Sequence, residues 1–379
     1  MTAPVPERLL LGPGPSPVPQ RVLQAMASPV LGHLDPAFLE VMDETMDLLR
    51  KAFRTTNSLT IPISGTGSAG MEAGVMNLLE PGDRIVVAVA GYFGERIAEM
   101  SRRVGADVVT VPTEWGRSVD PRAVEDAVRA APTRVLAAVH VETSTGVLQL
   151  LPPLAQIARA HGALFFVDAV TSLGGVELRV DDWGLDLCYS GSQKCLNAPP
   201  GLAPITAGER VRAHLAARRT KVPSWYFDLS LLSTYWGADR VYHHTAPVSM
   251  VYAMRESLRM IHEEGLEARW ARHRTNAAML WQGLEEMGLR LLVPVEHRAP
   301  TLTTVVVPDG VNDGAVRKRL LQEYNIEIAG GLGPLKGKIF RIGLMGAGST
   351  PRNVLTFLAA LQAALTAEGF KRSSTRRAA

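Results

Sequence analysis

The chain has 379 residues, 46% of them apolar and 20% charged, which suits about two folded domains and excludes a disordered, fibrous or disulfide-stapled chain. Its net charge of +3 is more than accounted for by Lys371, Arg372, Arg376 and Arg377 near the C-terminus, so no basic stripe of the kind that holds nucleic acid or a membrane surface is expected on the folded body. Cys188 and Cys195 are the only cysteines, which points to reduced thiols in a cytoplasmic protein.

The opening L-G-P-G-P-S-P-V-P at 11–19 holds too many prolines and glycines for a helix or central strand, so residues 1–20 are read as an N-terminal arm, ordered against the rest. Residues 38–53 place Phe38, Val41, Met42, Met46, Leu48, Leu49 and Phe53 mostly at helical spacing, which predicts an amphipathic helix. Residues 59–64 predict a short strand closing on a glycine-rich turn. Strand-length apolar runs then alternate with helical segments: I-V-V-A-V-A at 85–90, a helix over 96–104, D-V-V-T-V at 107–111, a helix near Val124, V-L-A-A-V-H-V at 135–141, a helix near Ile157 and A-L-F-F-V-D-A at 163–169. Such alternation predicts an α/β fold with a large, mostly parallel sheet covered by helices, its ligand site at the carboxyl ends of the strands. A helical stretch over 253–287, T-L-T-T-V-V-V-P at 301–308, a helix over 316–324, K-I-F-R-I-G-L-M-G at 338–346 and a helix over 354–365 predict a smaller C-terminal α+β domain. The expected division is a large domain over 21–255, a small domain over 256–370, and a basic tail over 371–379 read as solvated and disordered.

Four features carry chemistry. Lys194 lies in C-Y-S-G-S-Q-K-C-L-N-A-P-P-G-L, on a tight loop after the strand-like 187–190. Most lysines are surface charges, but an amine enclosed by small and apolar residues loses proton affinity and can act as nucleophile and base, as a Schiff-base lysine must. Asp168 ends an apolar strand, where a carboxylate either caps the next turn or meets a ligand; in a pyridoxal enzyme it would pair with the pyridine nitrogen. S-G-T-G-S-A-G at 64–70 lies between a strand and a helix, an arrangement that favours a phosphate. It also matches G-x-G-x-x-G, yet the following strand ends in Gly91-Tyr92-Phe93 without the acidic residue a dinucleotide site wants. Phe93 suits stacking on an aromatic ring and equally suits a core or lid position. Arg341 interrupts a buried-looking strand and serves either as a receptor for a substrate carboxylate or as half of a structural salt bridge. No metal-ligand motif is present, and neither an 18-residue apolar run nor a secretory or peroxisomal signal appears.

Taken together, these residues resemble the class V, fold type I pyridoxal-phosphate aminotransferases, and within them the alanine–glyoxylate / serine–pyruvate group. The resemblance runs over nearly the whole chain, through L-G-P-G-P-S-P at 11–17, S-G-T-G-S at 64–68, E-T-S-T-G-V at 142–147, V-D-A-V-T-S-L-G-G at 167–175, S-Q-K-C-L-N-A-P-P-G at 192–201, Y-H-H-T-A-P at 242–247 and R-I-G-L-M-G at 341–346. It implies pyridoxal 5'-phosphate as cofactor, held as an internal aldimine on Lys194, with Asp168 on the ring nitrogen and Ser144 near the ring oxygen. It further implies Thr66, Gly67, Ser68 and Gln193 around the phosphate, and Phe93 and Val170 against the ring. Tyr242 and Thr245 would reach the phosphate of a neighbouring subunit's cofactor, which implies a homodimer. Arg341 would hold the substrate carboxylate, with Gly14 and His33 at the substrate end. Lys194 would then move the α-proton while a small amino acid, alanine or serine, and a 2-oxo acid, glyoxylate, exchange an amino group. The chain departs from common relatives in carrying Phe93 in place of Trp and Ser68 in place of His.

Three other enzyme classes compete. Cysteine desulfurases share the lysine but need a nucleophilic cysteine well downstream, and none follows Cys195. Ureidoglycine–glyoxylate aminotransferases are nearer, with Gln expected where this chain has His33, which is otherwise read as a satisfied structural histidine. A nicotinamide-dependent dehydrogenase rests on the glycine motif alone, and a cofactor-free scaffold is the non-enzymatic alternative.

Overall fold

The computed structural model describes residues 5–371. Most of the expected basic tail, from residue 372 onward, lies outside the described residues, as do residues 1–4 of the arm.

Helix α1 (Pro36–Phe53) starts where the Asp35 side chain accepts the Ala37 N–H at 2.8 Å, with a proline in its first turn, and ends at Arg54 in the left-handed region. Its apolar stripe, Phe38, Val41, Met42, Met46 and Leu49, is buried against the main sheet's core. Strand β1 (Leu59–Ser64) turns through the glycine segment into α2 (Gly67–Leu78). Strand β2 (Arg84–Val89), helix α3 (Tyr92–Arg103), β3 (Asp107–Pro112), β4 (Val135–Val139), β5 (Leu164–Asp168), β6 (Leu187–Tyr189) and β7 (Leu202–Ala207) complete a seven-stranded sheet of order β1-β7-β6-β5-β4-β2-β3. All its strands run the same way except β7, which pairs antiparallel with both β1 and β6.

The central strands read as continuous Val, Ile, Leu and Phe because both faces are covered; all five residues of β4 and of β5 are buried. Two details differ from the pattern reading. The run expected as a strand over 135–141 stops at Val139, because the His140 N–H turns to the Asp168 carbonyl at 2.9 Å and Val141–Glu142 pairs with Val147–Leu148 in a separate hairpin. The local pattern L-A-P-I-T-A does not mark strand β7, because a proline disfavours a central strand; in the register Pro204 stands opposite Pro62 of β1.

The helical stretch expected over 253–287 is two helices, α4 (Val248–Glu264) and α5 (Leu266–Glu286), broken at Gly265 with φ of 84°. The expected division near residue 255 falls within α4, which contributes Val251, Met254 and Leu258 to the main core. A second core gathers Leu280, Leu284, Val305, Phe340, Ile342, Phe357 and Leu361 around a three-stranded antiparallel sheet of β8 (Leu302–Val306), β9 (Ala329–Gly330) and β10 (Ile339–Gly343). The N-terminal arm joins the two parts. Leu11 is buried in this second core, and the Gly343 N–H donates to its carbonyl at 2.7 Å. Five residues on, the Ser16 N–H and hydroxyl donate to the carbonyls of Gln193 (2.8 Å) and Lys194 (2.6 Å). Among the described residues no helix is long and apolar enough to cross a membrane.

Candidate active site

Because β1, β2, β4, β5 and β6 run the same way, the loops leaving their carboxyl ends meet on one edge of the sheet. They enclose a cavity of about 170 Å³ lined by Thr66, Gly67, Ser68, Phe93, Arg96, Thr143, Asp168, Val170, Tyr189, Gln193 and Lys194, with Met71. Eight residues singled out in the sequence thus share one wall. Three larger hollows, of about 240, 380 and 1000 Å³, contain none of them.

Lys194 follows β6 on a loop braced by Ser16. Its amine donates to the Pro13 carbonyl, and Gly14, with φ of 110°, lies so close that a Cβ there would run into the lysine side chain. Burial pushes the amine down to about 8, with Arg341 lowering it further and Asp168 opposing. An appreciable fraction is therefore unprotonated near neutral pH.

Asp168 closes β5 and is buried. Burial raises its carboxyl to about 6. Two donors work against that rise: the Tyr189 hydroxyl from neighbouring β6 donates to Oδ2, and the Val170 N–H donates to Oδ1 at 2.8 Å. Residue type alone does not mark Tyr189, which lies in the stretch C-Y-S-G-S-Q-K-C. Only the pairing of β5 with β6, which sets Asp168 opposite Tyr189, brings the two together.

Helix α2 begins at the glycine turn with Thr66 as its first flanking residue and no side chain satisfying the terminal N–H groups. Its N-terminus therefore offers free donors to an anion at one end of the cavity. The Gln193 Oε1 is buried at the same wall with no hydrogen-bond partner among the described residues. Phe93 and Val170 supply the apolar sides. Ser144 does not reach the cavity lining: it is fully buried, its hydroxyl donating to Glu142 Oε1 at 2.6 Å and accepting the Tyr92 N–H at 3.0 Å. Glu142, also unassigned from sequence, accepts the N–H groups of Phe93 and Gly94 at 3.3 Å and so caps α3 from another loop. Gly91 permits this approach, since a Cβ there would meet the Ser144 hydroxyl.

Arg341 on β10 is buried and has no carboxylate within ion-pair distance among the described residues, which removes the salt-bridge alternative there. Instead Nε donates to the Gly330 carbonyl at 2.7 Å and Nη1 to the Thr143 carbonyl at 3.1 Å, and burial pushes the guanidinium down to about 10. The remaining candidates lie apart from the cavity. His33 packs beside Tyr242 with ring centroids 5.1 Å apart, and Tyr242 and Thr245 are exposed. Among the described residues no cluster of three His, Cys, Asp or Glu side chains could hold a metal.

An amine with lowered proton affinity, a buried carboxylate, an orphaned amide oxygen and a helix N-terminus around one slot form a donor set that fits an aldehyde-bearing pyridine phosphate. Comparison with known proteins agrees. Residues 8–341 match the family described as Aminotransferase class-V. The chain is 42% identical to the (S)-ureidoglycine–glyoxylate transaminase of Bacillus subtilis, covering 95% of this chain and 91% of that one, and 42% identical to the alanine–glyoxylate aminotransferase of Oryctolagus cuniculus, covering 95% and 93%. The crystal structure of an alanine–glyoxylate aminotransferase from Nostoc sp. superposes with a TM-score of 0.95 at 51% identity, covering 96% of this chain and 97% of that one. The chain belongs to the class V aminotransferase family; it has the fold type I architecture, and it is an aminotransferase whose cofactor is pyridoxal phosphate. The dehydrogenase and scaffold alternatives fall with that assignment.

Proposed function

We propose that this enzyme moves the amino group of alanine or serine to glyoxylate, giving glycine and pyruvate or hydroxypyruvate. The observation that carries the reading is Lys194, its amine pushed down to about 8, sharing one cavity with the buried carboxylate of Asp168 and the N-terminus of α2. The substrate pair is supported by relatives named for alanine and glyoxylate.

When bound, pyridoxal phosphate supplies an aldehyde that condenses with amines and a ring that accepts the electron pair left on an amino acid's α-carbon. Asp168 holds the proton on the ring nitrogen, and its burial keeps that pairing free of competing water. The N–H groups of Gly67 and Ser68, with Thr66 and Gln193, take the phosphate. Phe93 and Val170 cover the ring, while Ser144, outside the cavity lining, orders the start of α3 together with Glu142. Lys194 moves the substrate's α-proton at Nζ, which its depressed proton affinity permits near neutral pH. Arg341, already oriented by two carbonyls, holds the substrate carboxylate with its remaining N–H groups, while Gly14, against Lys194, borders the substrate end. Two half-reactions in one site predict ping-pong kinetics.

The same reading makes the working unit a homodimer, with Tyr242 and Thr245 of each copy completing the phosphate site of the other. It is supported by exposed residues near Thr245: Val241 and Tyr242 in the same segment, and Trp225, which stacks on His243. A cytoplasmic setting is supported by Cys188 and Cys195, both buried free thiols.

Ureidoglycine is the alternative donor, favoured by the relative from Bacillus subtilis. Incubating the purified enzyme with glyoxylate and each donor, and measuring glycine, distinguishes them. Glycine from alanine or serine supports the proposal, glycine only from ureidoglycine replaces the donor, and no glycine from any donor overturns glyoxylate as acceptor.

A further inference from the structure

Arg96 enters none of the roles above, yet it lines the cavity with Lys194 and Asp168. It stands one turn into α3, and its guanidinium lies over the Phe93 ring, 4.7 Å from the centroid, and beside Tyr92 at 5.1 Å. Its Nη1 donates to the Ser68 hydroxyl at 3.1 Å, and this is its single hydrogen bond to protein among the described residues. No carboxylate neutralises it there. Arg103, farther along the same helix, by contrast pairs with Glu99 at 2.9 Å. The cation is therefore uncompensated, held between an aromatic ring and the first turn of α2, and left with unused donors at the end of the cavity that already presents unsatisfied N–H groups.

Two physical effects converge on that position. The guanidinium adds a full positive charge to the partial charge of the α2 N-terminus, and such charges are complementary to a phosphate rather than to a neutral group. Its planar face also restrains Phe93, because a cation over an aromatic ring is attracted to it and limits the ring's rotation. Ser68 links the two, since accepting the Nη1 hydrogen bond ties the phosphate turn to α3.

We propose that Arg96 is a cofactor-positioning residue that charges the phosphate end of the site, held in place by Phe93 and Ser68. The inference rests on the assignment of the α2 N-terminus to the cofactor's phosphate. It explains how a chain with Phe93 and Ser68, side chains smaller than tryptophan and histidine, secures the phosphate end: the charge comes from the neighbouring helix.

The test is binding to the cofactor-free enzyme of two noncovalent probes that differ only in the phosphate, pyridoxamine phosphate and pyridoxamine, read by quenching of intrinsic fluorescence for wild type, R96Q and R96K. For R96Q the expected result is at least about tenfold weaker binding of pyridoxamine phosphate, as for loss of one charge-assisted contact, with pyridoxamine changed far less. R96K is expected to recover part of the loss, and the salt dependence of the phosphate probe is expected to flatten in R96Q. Equal weakening of both probes, or no change in either, overturns the proposal. Thermal melting of the cofactor-free proteins identifies a folding defect; if R96Q melts early, S68A serves in its place, with a smaller loss again confined to the phosphate probe. Wild-type protein that binds pyridoxamine and pyridoxamine phosphate equally refutes the assignment of α2 to the phosphate, and this inference falls with it.

Discussion

Replacing Tyr189 with phenylalanine removes one oxygen from a fully buried site and leaves the ring's packing on Phe166 in place. That oxygen is the strongest influence holding the Asp168 carboxyl down against burial. A hydrogen bond to a charged group contributes about 1.5–3 kcal/mol, and one pH unit of pKa corresponds to about 1.4 kcal/mol, so Asp168 in Y189F titrates roughly one to two pH units higher. The sign is fixed by linkage. A carboxyl raised in the folded state favours folding below its unfolded value and loses that contribution as pH rises through its folded value of about 6. Y189F extends the loss to higher pH. The stability gap between wild type and Y189F, measured by urea unfolding of the cofactor-free proteins, is therefore expected to widen by about 1 kcal/mol or more between pH 5 and pH 8. An equal gap at both pH values refutes the argument that Tyr189 acts through the charge on Asp168.

Removing the Lys194 amine in K194A is expected to slow transamination by about 10²–10⁴-fold and to abolish the visible absorption of lysine-bound cofactor; retained absorption at that position removes Lys194 from its assigned role. Mixing K194A with Y242A after dissociation and reassembly tests the shared site: if Tyr242 serves the partner's cofactor, mixed dimers keep one intact site and roughly a quarter of wild-type activity returns, whereas no recovery refutes sharing. R341K cannot reproduce the planar fork that reaches Gly330 and Thr143, so steady-state kinetics are expected to show a KM for the amino donor raised about tenfold or more, and an unchanged KM refutes substrate binding at this residue. G91A drives a methyl into Ser144 and Glu142, and a stability loss of roughly 1–3 kcal/mol is expected as a lower melting temperature; an unchanged melting temperature refutes the close approach.

The sequence by itself determined the elements whose signals are local. Apolar runs such as A-L-F-F-V-D identify a strand buried on both faces, glycine and proline mark the turns around Ser64 and Lys194, and the order of motifs along the chain carries the family and its cofactor. It did not reveal β7, whose pairing overrides the local meaning of Pro204, or the break at Gly265 inside an otherwise continuous helical pattern. Nor did it identify Tyr189, Glu142 or Arg96 as part of the site. Each meets its partner only because sheet order brings separate loops to one edge: Tyr189 beside Asp168 across β5 and β6, Glu142 under the start of α3, and Arg96 over the first turn of α2. The surroundings of Arg341 were likewise tertiary, since a guanidinium's partners depend on what the fold places opposite it, here two carbonyls and, among the described residues, no carboxylate within ion-pair distance. Residue type announces a possible charge or nucleophile, but burial and neighbours set its protonation and its partner, and those follow from the folded arrangement of distant segments.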